Sequence, residues 1–428
     1  MKEILILRNG RVLDPGASLD AVKDIWIRDG IIVNPGKGMP ESAEIVDVSG
    51  CWVVPGLIDM HVHLRDPGEE YKETIESGCR AAAAGGFTGV ACMPNTNPVN
   101  DNGSVTRYIC EEAQKAGFAH VYPVGAISQG SRGDKLAEYG EMKAAGAVAF
   151  TDDGLPVHDS QLMRRAMEYS LSHGSLIMSH AEESSLSRGG CMNEGETATR
   201  LGLQGIPNAA ESIMVYRDIV LAELTGARVH ISHVSTAESI ELIRQGKARG
   251  VGVTAESAPH YFMLTEEAVT GYDTHAKMNP PLRSQKDLEA VRHALTDGTL
   301  DAIATDHAPH SVLEKDVEFN YAANGIVGLE TALSLGLSLV REEVISPLRL
   351  VELMSTSPAR ILAVSGGSLA VGSPADITVI DPDKKFVFDA QKSFSKSANS
   401  PFSGWKLQGR AVLTLLGGKV THRELSAP

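Results

Sequence analysis

Cysteine is scarce in this 428-residue chain: Cys51, Cys79, Cys92, Cys110 and Cys191 are an odd number at wide, irregular spacings. No CxxC pair occurs, which argues against a zinc ribbon or a thioredoxin-type redox pair, and a disulfide framework does not suit a chain of this size. The five are read as free, mostly buried thiols. Positive charge is also short, with 39 Lys plus Arg against 54 Asp plus Glu and a formal charge of −15. Nucleic acids and anionic membranes both need a positive field, so neither is expected as a partner. Long apolar runs are missing too. The longest uncharged stretch, residues 81–100, is broken by glycine, proline and asparagine and does not read as a membrane span. The opening MKEILILRNGRV lacks an apolar signal-peptide core, so a cytoplasmic protein is expected.

The length suits a barrel-sized domain of about 250 residues plus a smaller one. Residues 1–55 read as short strands separated by Gly and Asp (ILILRNG, DIWIRDG, EIVDVSG, CWVVPG), and residues 366–428 behave likewise (ADITVID, KFVFD, AVLTLLGGKV). The two ends are expected to build one small β-sandwich domain. The middle, 56–365, alternates strand-like runs near 57–63, 89–93, 121–126, 147–151, 176–179, 229–232, 252–255 and 302–305 with helix-like stretches such as 160–173, 209–225, 284–296 and 329–340. Strand then helix, eight times, predicts an α/β fold of the (β/α)8 TIM-barrel type. A doubly wound open sheet shares the alternation but does not explain why polar residues gather at so many strand ends.

Five of those runs end in nitrogen or oxygen donors. The first ends DMHVHLR, so His61, His63 and Arg65 fall on one face by strand alternation. The others end TDDG at 151–154, SHAE at 179–182, SH at 232–233 and ATDHAPH at 304–310. A strand-end Asp can simply cap a helix, and a lone His can be a satisfied core residue. Five strands ending this way point instead to zinc or a similar divalent ion. By alternation, His230 falls on the face opposite His233, and His307 points away from Asp306. Six donors exceed one tetrahedral zinc. Two ions resolve the excess, with His61, His63 and Asp306 on one, His180 and His233 on the other, and Asp153 bridging. A water shared by two such ions becomes a hydroxide near neutral pH, so the site is expected to be hydrolytic.

HVHLRDPG at 61–68, MPNTNP at 93–98, TDDG, the isolated His180 and His233, KMNPPLR at 277–283 and ATDHAPH together resemble the amidohydrolase superfamily, and within it the bacterial class I dihydroorotases. The resemblance runs over essentially the whole chain, including the return near 367–376. It implies reversible hydrolysis of (S)-dihydroorotate to N-carbamoyl-L-aspartate in de novo pyrimidine biosynthesis. It also implies two zinc ions per subunit, bridged by Asp153 and a hydroxide, with Asp306 as proton shuttle. Arg65 is placed to grip the substrate carboxylate. His63, Asn95, Asn279, His310 and the backbone of Asn324 and Gly325 complete the implied pocket. Plain alternatives stand beside these roles: Arg65 in a surface ion pair, Asn95 and Asn279 as turn residues beside prolines, His310 as a solvated loop residue. Residues 311–324 read as a mobile loop near the mouth.

The rival cyclic-amide hydrolases (hydantoinase, dihydropyrimidinase and allantoinase) carry a carbamylated lysine at the end of the fourth strand. Here that strand reads AVAFTDD, without a lysine, and Lys143 lies upstream. A further alternative is an inactive scaffold for aspartate carbamoyltransferase, which retention of all six ligand candidates disfavours. A homo-oligomer is expected, and a complex with aspartate carbamoyltransferase is compatible with activity.

Overall fold

A computed structural model describes residues 4–35 and 43–425; the outermost residues of both expected sandwich segments, and 36–42, lie outside the described residues. Eight parallel strands form the central sheet: β1 (Leu57–Val62), β2 (Phe87–Cys92), β3 (His120–Gly125), β4 (Ala149–Phe150), β5 (Leu176–Ser179), β6 (Val229–Ile231), β7 (Val253–Ser257) and β8 (Ala302–Ile303), each hydrogen-bonded to the next in sequence order. The ring closes beyond the end of β8. There Val62 bridges His307, His63 N–H donates to His307 O at 2.8 Å, and the buried Asp59 carboxylate accepts Thr305 N–H at 3.1 Å. The expected barrel is therefore the observed one.

A helix follows every strand, and local signals set where each starts and stops. Thr74 and Ser77 form a capping box before Ile75–Gly85, and Ser284 and Asp287 another before Gln285–Asp297. Asn102, Asp159 and Thr236 cap Gly103–Ala116, Ser160–Ser172 and Ala237–Ala248. Ala209–Thr225 follows β5 after a short excursion through 184–206, and ends at the left-handed Gly226.

Both chain ends build the second layer. A four-stranded sheet takes its strands from the N-terminal segment alone. A six-stranded sheet runs Lys419–Arg423, Lys406–Leu416, Ile377–Val387, Trp52–Pro55, Arg11–Asp14, Leu19–Val22, so N- and C-terminal strands pair directly at Val54 and Thr378. Leu7, Val12, Ile27, Val53, Ile377, Val379 and Leu413 fill the space between the sheets. Thr378 and Thr414 donate to Gly86 O and Ala83 O, which ties the sandwich to the first barrel helix. All five cysteines are free thiols, four of them buried.

Candidate functional site

The strand ends bring the six predicted ligands together in one buried cluster. His61 lies on β1 and His63 just past it; Asp153, His180, His233 and Asp306 follow β4, β5, β6 and β8 within three residues of each strand end. Asp153 sits at the centre. Its Oδ1 is 3.2 Å from His61 Nε2, 3.6 Å from His233 Nε2 and 3.8 Å from His180 Nδ1, and its Oδ2 is 3.5 Å from His63 Nε2. Asp306 Oδ1 lies 3.1 Å from His63 Nε2 and 3.6 Å from His61 Nε2. His61, His63 and Asp306 form one group able to hold an ion, and His61, Asp153 and His233 another, with their donor atoms within 4.8 Å of one another.

The residues present fit a divalent cation. His61 Nε2 and Asp153 Oδ1 face each other, buried, and neither has an aligned hydrogen-bond partner. Leaving buried polar atoms unpaired is costly unless something between them satisfies both. Burial opposes a charge on His61, yet Asp153, Glu256 and Asp306 raise its pKa well above the usual imidazole value. Burial likewise opposes ionisation of Asp153, and the surrounding histidines hold it well below the usual carboxylate range. Asp153 is thereby held as a carboxylate, the form that ligates a cation.

A supporting layer orients three of the four rings, and His233 Nδ1 has no hydrogen-bond partner among the described residues. His61 Nδ1 donates to Glu256 Oε1 at 2.9 Å, His63 Nδ1 to Asn95 Oδ1 at 2.8 Å, and His180 Nε2 to Glu182 Oε2 at 3.2 Å. Each outward hydrogen bond turns the opposite nitrogen into the cluster, where His63 Nε2 lies 3.1 Å from Asp306 Oδ1 and His180 Nδ1 lies 2.9 Å from His233 Nε2. Sequence reasoning missed Glu256 and Glu182 as site residues. Glu182 was within reach, being two residues from His180, and Glu256 is the one carboxylate in the apolar run of β7. His230 lies outside both donor groups, as expected, but it shares Glu256 with His61, its Nε2 standing 3.3 Å from the other carboxylate oxygen. Alternation is not the reason, because β6 ends at Ile231, so strand register does not carry to His233, whose φ is 37°. His307 does turn away from Asp306, toward Glu73 at 3.2 Å. Also missed was His260, buried with an unpartnered Nε2 and pushed down by burial to about 4.

Arg65, His233 and Asp306 all have left-handed backbone, with φ of 62°, 37° and 49°. A non-glycine residue held there costs on the order of 1–3 kcal/mol, which the surrounding bonds must offset. Arg65 therefore reaches the pocket through this turn and not through strand alternation.

A cavity of about 210 Å³ opens beside the cluster, and Arg65, Asn95, Asn279, His310, Asn324 and Gly325 line it together with His63, Asp153, His180, His233 and Asp306. Arg65 is buried, its Nε donates to Pro309 O at 3.2 Å, and no carboxylate pairs with it among the described residues. It is not in a surface ion pair. Asn279 Nδ2 donates to Glu182 Oε2 at 2.6 Å, and His310 Nε2 donates to Asn324 O at 2.8 Å. Lys143 sits on the helix Tyr139–Ala145 and donates to His173 O, away from the cluster. Within 311–324 the chain forms a helical turn, Val312–Lys315, anchored by the buried Lys315.

Comparison with known proteins follows the same lines. Residues 50–239 match the family model described as dihydro-orotase-like, and residues 195–422 match that of the amidohydrolase family. The chain is 64% identical to a protein of Desulfotalea psychrophila named dihydroorotase, over 98% of this chain and 99% of that one. It is 58% identical to one of the same name from Syntrophotalea carbinolica, again over 98% of this chain and 99% of that one. Among solved structures it resembles an L-hydantoinase (dihydropyrimidinase) from Arthrobacter aurescens, with a TM-score of 0.88 and 26% identity, covering 100% of this chain and 98% of that one.

Proposed function

Because this chain belongs to the dihydroorotase family of amidohydrolases, we propose that it hydrolyses the ring amide of (S)-dihydroorotate, reversibly, to N-carbamoyl-L-aspartate. One observation carries the reading beyond the family: a buried guanidinium with no carboxylate partner among the described residues faces the same small cavity as five of the six donors. An anionic cyclic amide supplies what each half lacks. We further propose zinc as the ion, two per subunit, held by His61, His63 and Asp306 on one side and His180 and His233 on the other, with Asp153 shared. When bound, such ions polarise an amide carbonyl and lower the pKa of a coordinated water from roughly 15.7 to about 7.

The remaining roles fall to the chain. Arg65 holds the substrate carboxylate and so sets the orientation of the ring. Asn279 and His310 border the same space, and the free Nδ2 of Asn95 offers it a donor. Asp306, ionised because His63 and His61 hold its carboxyl well below the usual range against the effect of burial, accepts the proton of the attacking water. It returns that proton to the departing ring nitrogen. In the reverse direction Asp306 removes a proton from the nitrogen that closes the ring.

The test is an ultraviolet assay on purified, zinc-supplemented protein with dihydroorotate, hydantoin and allantoin in parallel. Consumption of dihydroorotate is expected; consumption of the uncharged rings alone would overturn the assignment. In the same assay Arg65→Lys is expected to raise KM about 10- to 100-fold with little change in kcat. An ammonium cannot reproduce the two-pronged contact, and a hydrogen bond to a charged group contributes about 1.5–3 kcal/mol. An unchanged KM would remove Arg65 from the carboxylate.

No described helix is long and apolar enough to cross a membrane, and we place the protein in the cytoplasm, where its substrate is made and used. We also propose a homo-oligomer. Ile213, Tyr216, Val220 and Leu224 form an exposed apolar stripe along Ala209–Thr225, which a second copy would cover.

A further inference from the structure

The C-terminal segment does not stay in the sandwich. After Ile377–Val387 the chain crosses to the barrel, where Ser397 Oγ donates to Lys72 O at 2.7 Å and Lys396 N–H to Glu73 at 3.0 Å. It ends this excursion at Asn399, which is buried, far from both the cluster and the predicted pocket in sequence. The Asn399 carboxamide spans two loops. Its Nδ2 donates to Ala308 O at 2.9 Å and to Gly325 O at 3.0 Å, and its Oδ1 accepts His310 N–H at 3.0 Å. Ala308, His310 and Gly325 all line the cavity.

Gly325 is gripped from a second direction. Lys315 Nζ donates to the same carbonyl at 3.1 Å, and Gly325 N–H donates to Lys277 O at 2.9 Å. Burial, aided by the Lys277 ammonium, lowers the Lys315 pKa to about 7, and both protonation states keep hydrogens for carbonyl acceptors. The backbone at Gly325 has φ 126°, and a Cβ there would meet the Ala308 Cβ at 2.6 Å, so the two loops are in close contact at this point.

We propose that Asn399 is a positioning residue of the substrate pocket: from the C-terminal segment, it clasps the loop at 308–310 to the loop at 324–325 and thereby sets the spacing between the His310 ring and the Asn324–Gly325 backbone. This rests on the reading of that cavity as the dihydroorotate site. A carboxamide suits the task because it offers two donors and an acceptor in one plane. An aspartate would turn a second acceptor toward two carbonyl oxygens, and an alanine would leave Ala308 O and His310 N–H without this partner and Gly325 O held by Lys315 alone.

The experiment is steady-state kinetics on zinc-loaded Asn399→Ala and Asn399→Asp, with metal content measured on each. Displacing binding groups by about an ångström costs up to roughly 10²-fold. KM for dihydroorotate is expected to rise about tenfold or more, with kcat within about threefold and metal content unchanged. Lys315→Met, which acts on Gly325 from the other side, is expected to shift KM in the same direction and serves if the Asn399 variants fail to fold. Ser397→Ala loosens the same segment without touching the pocket, so it is expected to leave KM unchanged. A double-mutant cycle of Asn399→Asp with His310→Ala separates positioning from bulk stability, because coupling is expected only if Asn399 acts through His310. Normal KM in Asn399→Asp and Lys315→Met, or additive effects in the cycle, would overturn the proposal. A wild-type protein inert toward dihydroorotate would instead overturn the proposed function.

Discussion

Removing divalent metal with a chelator is expected to abolish dihydroorotate hydrolysis, and adding zinc back to restore it. The reason lies in the cluster, where four imidazoles and two carboxylates converge in buried surroundings with His61 Nε2 and Asp153 Oδ1 unsatisfied. A bound ion would polarise the amide carbonyl and lower the pKa of a coordinated water by roughly eight units. A second readout accompanies activity. An ion that binds only the folded state stabilises it by mass action, so the stripped protein is expected to melt at a lower temperature, and zinc to reverse the shift. Full turnover at undetectable metal content, or a melting temperature indifferent to zinc, would show that the cluster is not a metal centre.

Asp306→Asn is expected to lower kcat by about 10²–10⁴-fold while KM and most of the metal are retained. The amide keeps an oxygen where Oδ1 stands, 3.1 Å from His63 Nε2, but has no basicity to take a proton. His63 and His61 hold the native carboxyl low, against its burial, so it is ionised throughout the neutral range. The expected loss is therefore the same at all neutral pH values and is not rescued by raising the pH. Turnover near that of the wild type, with metal content verified, would move the proton shuttle elsewhere. Loss of both metal and turnover would make Asp306 a ligand first.

Much of this site was legible before any coordinates, because metal ligation needs particular atoms and a barrel collects its strand ends at one mouth. His61, His180, His233 and Asp306 could be picked by asking which apolar runs end in a donor. Arg65 was also chosen, although for an incomplete reason, since its left-handed backbone delivers it and alternation does not. Alternation also puts His230 opposite His233, a relation that does not carry past the end of β6 at Ile231. Glu256 and Glu182 went unseen because a supporting carboxylate has no motif of its own: its meaning lies in the ring nitrogen it touches. Asn399 had still less signal, as one amide in a Ser-rich stretch remote from every ligand.

What the sequence alone determined is the repeating strand–helix period, the strand-rich character of both ends, and the inventory of donors at strand ends, all consequences of local patterning that survives any detail of packing. What only the tertiary structure decided is the pairing of the two chain ends, which side chains back His61, His63 and His180, and how the C-terminal segment reaches over to grip the pocket loops. Those depend on contacts between residues hundreds of positions apart and on backbone that leaves strand geometry just where the chemistry begins, and neither is encoded in periodicity.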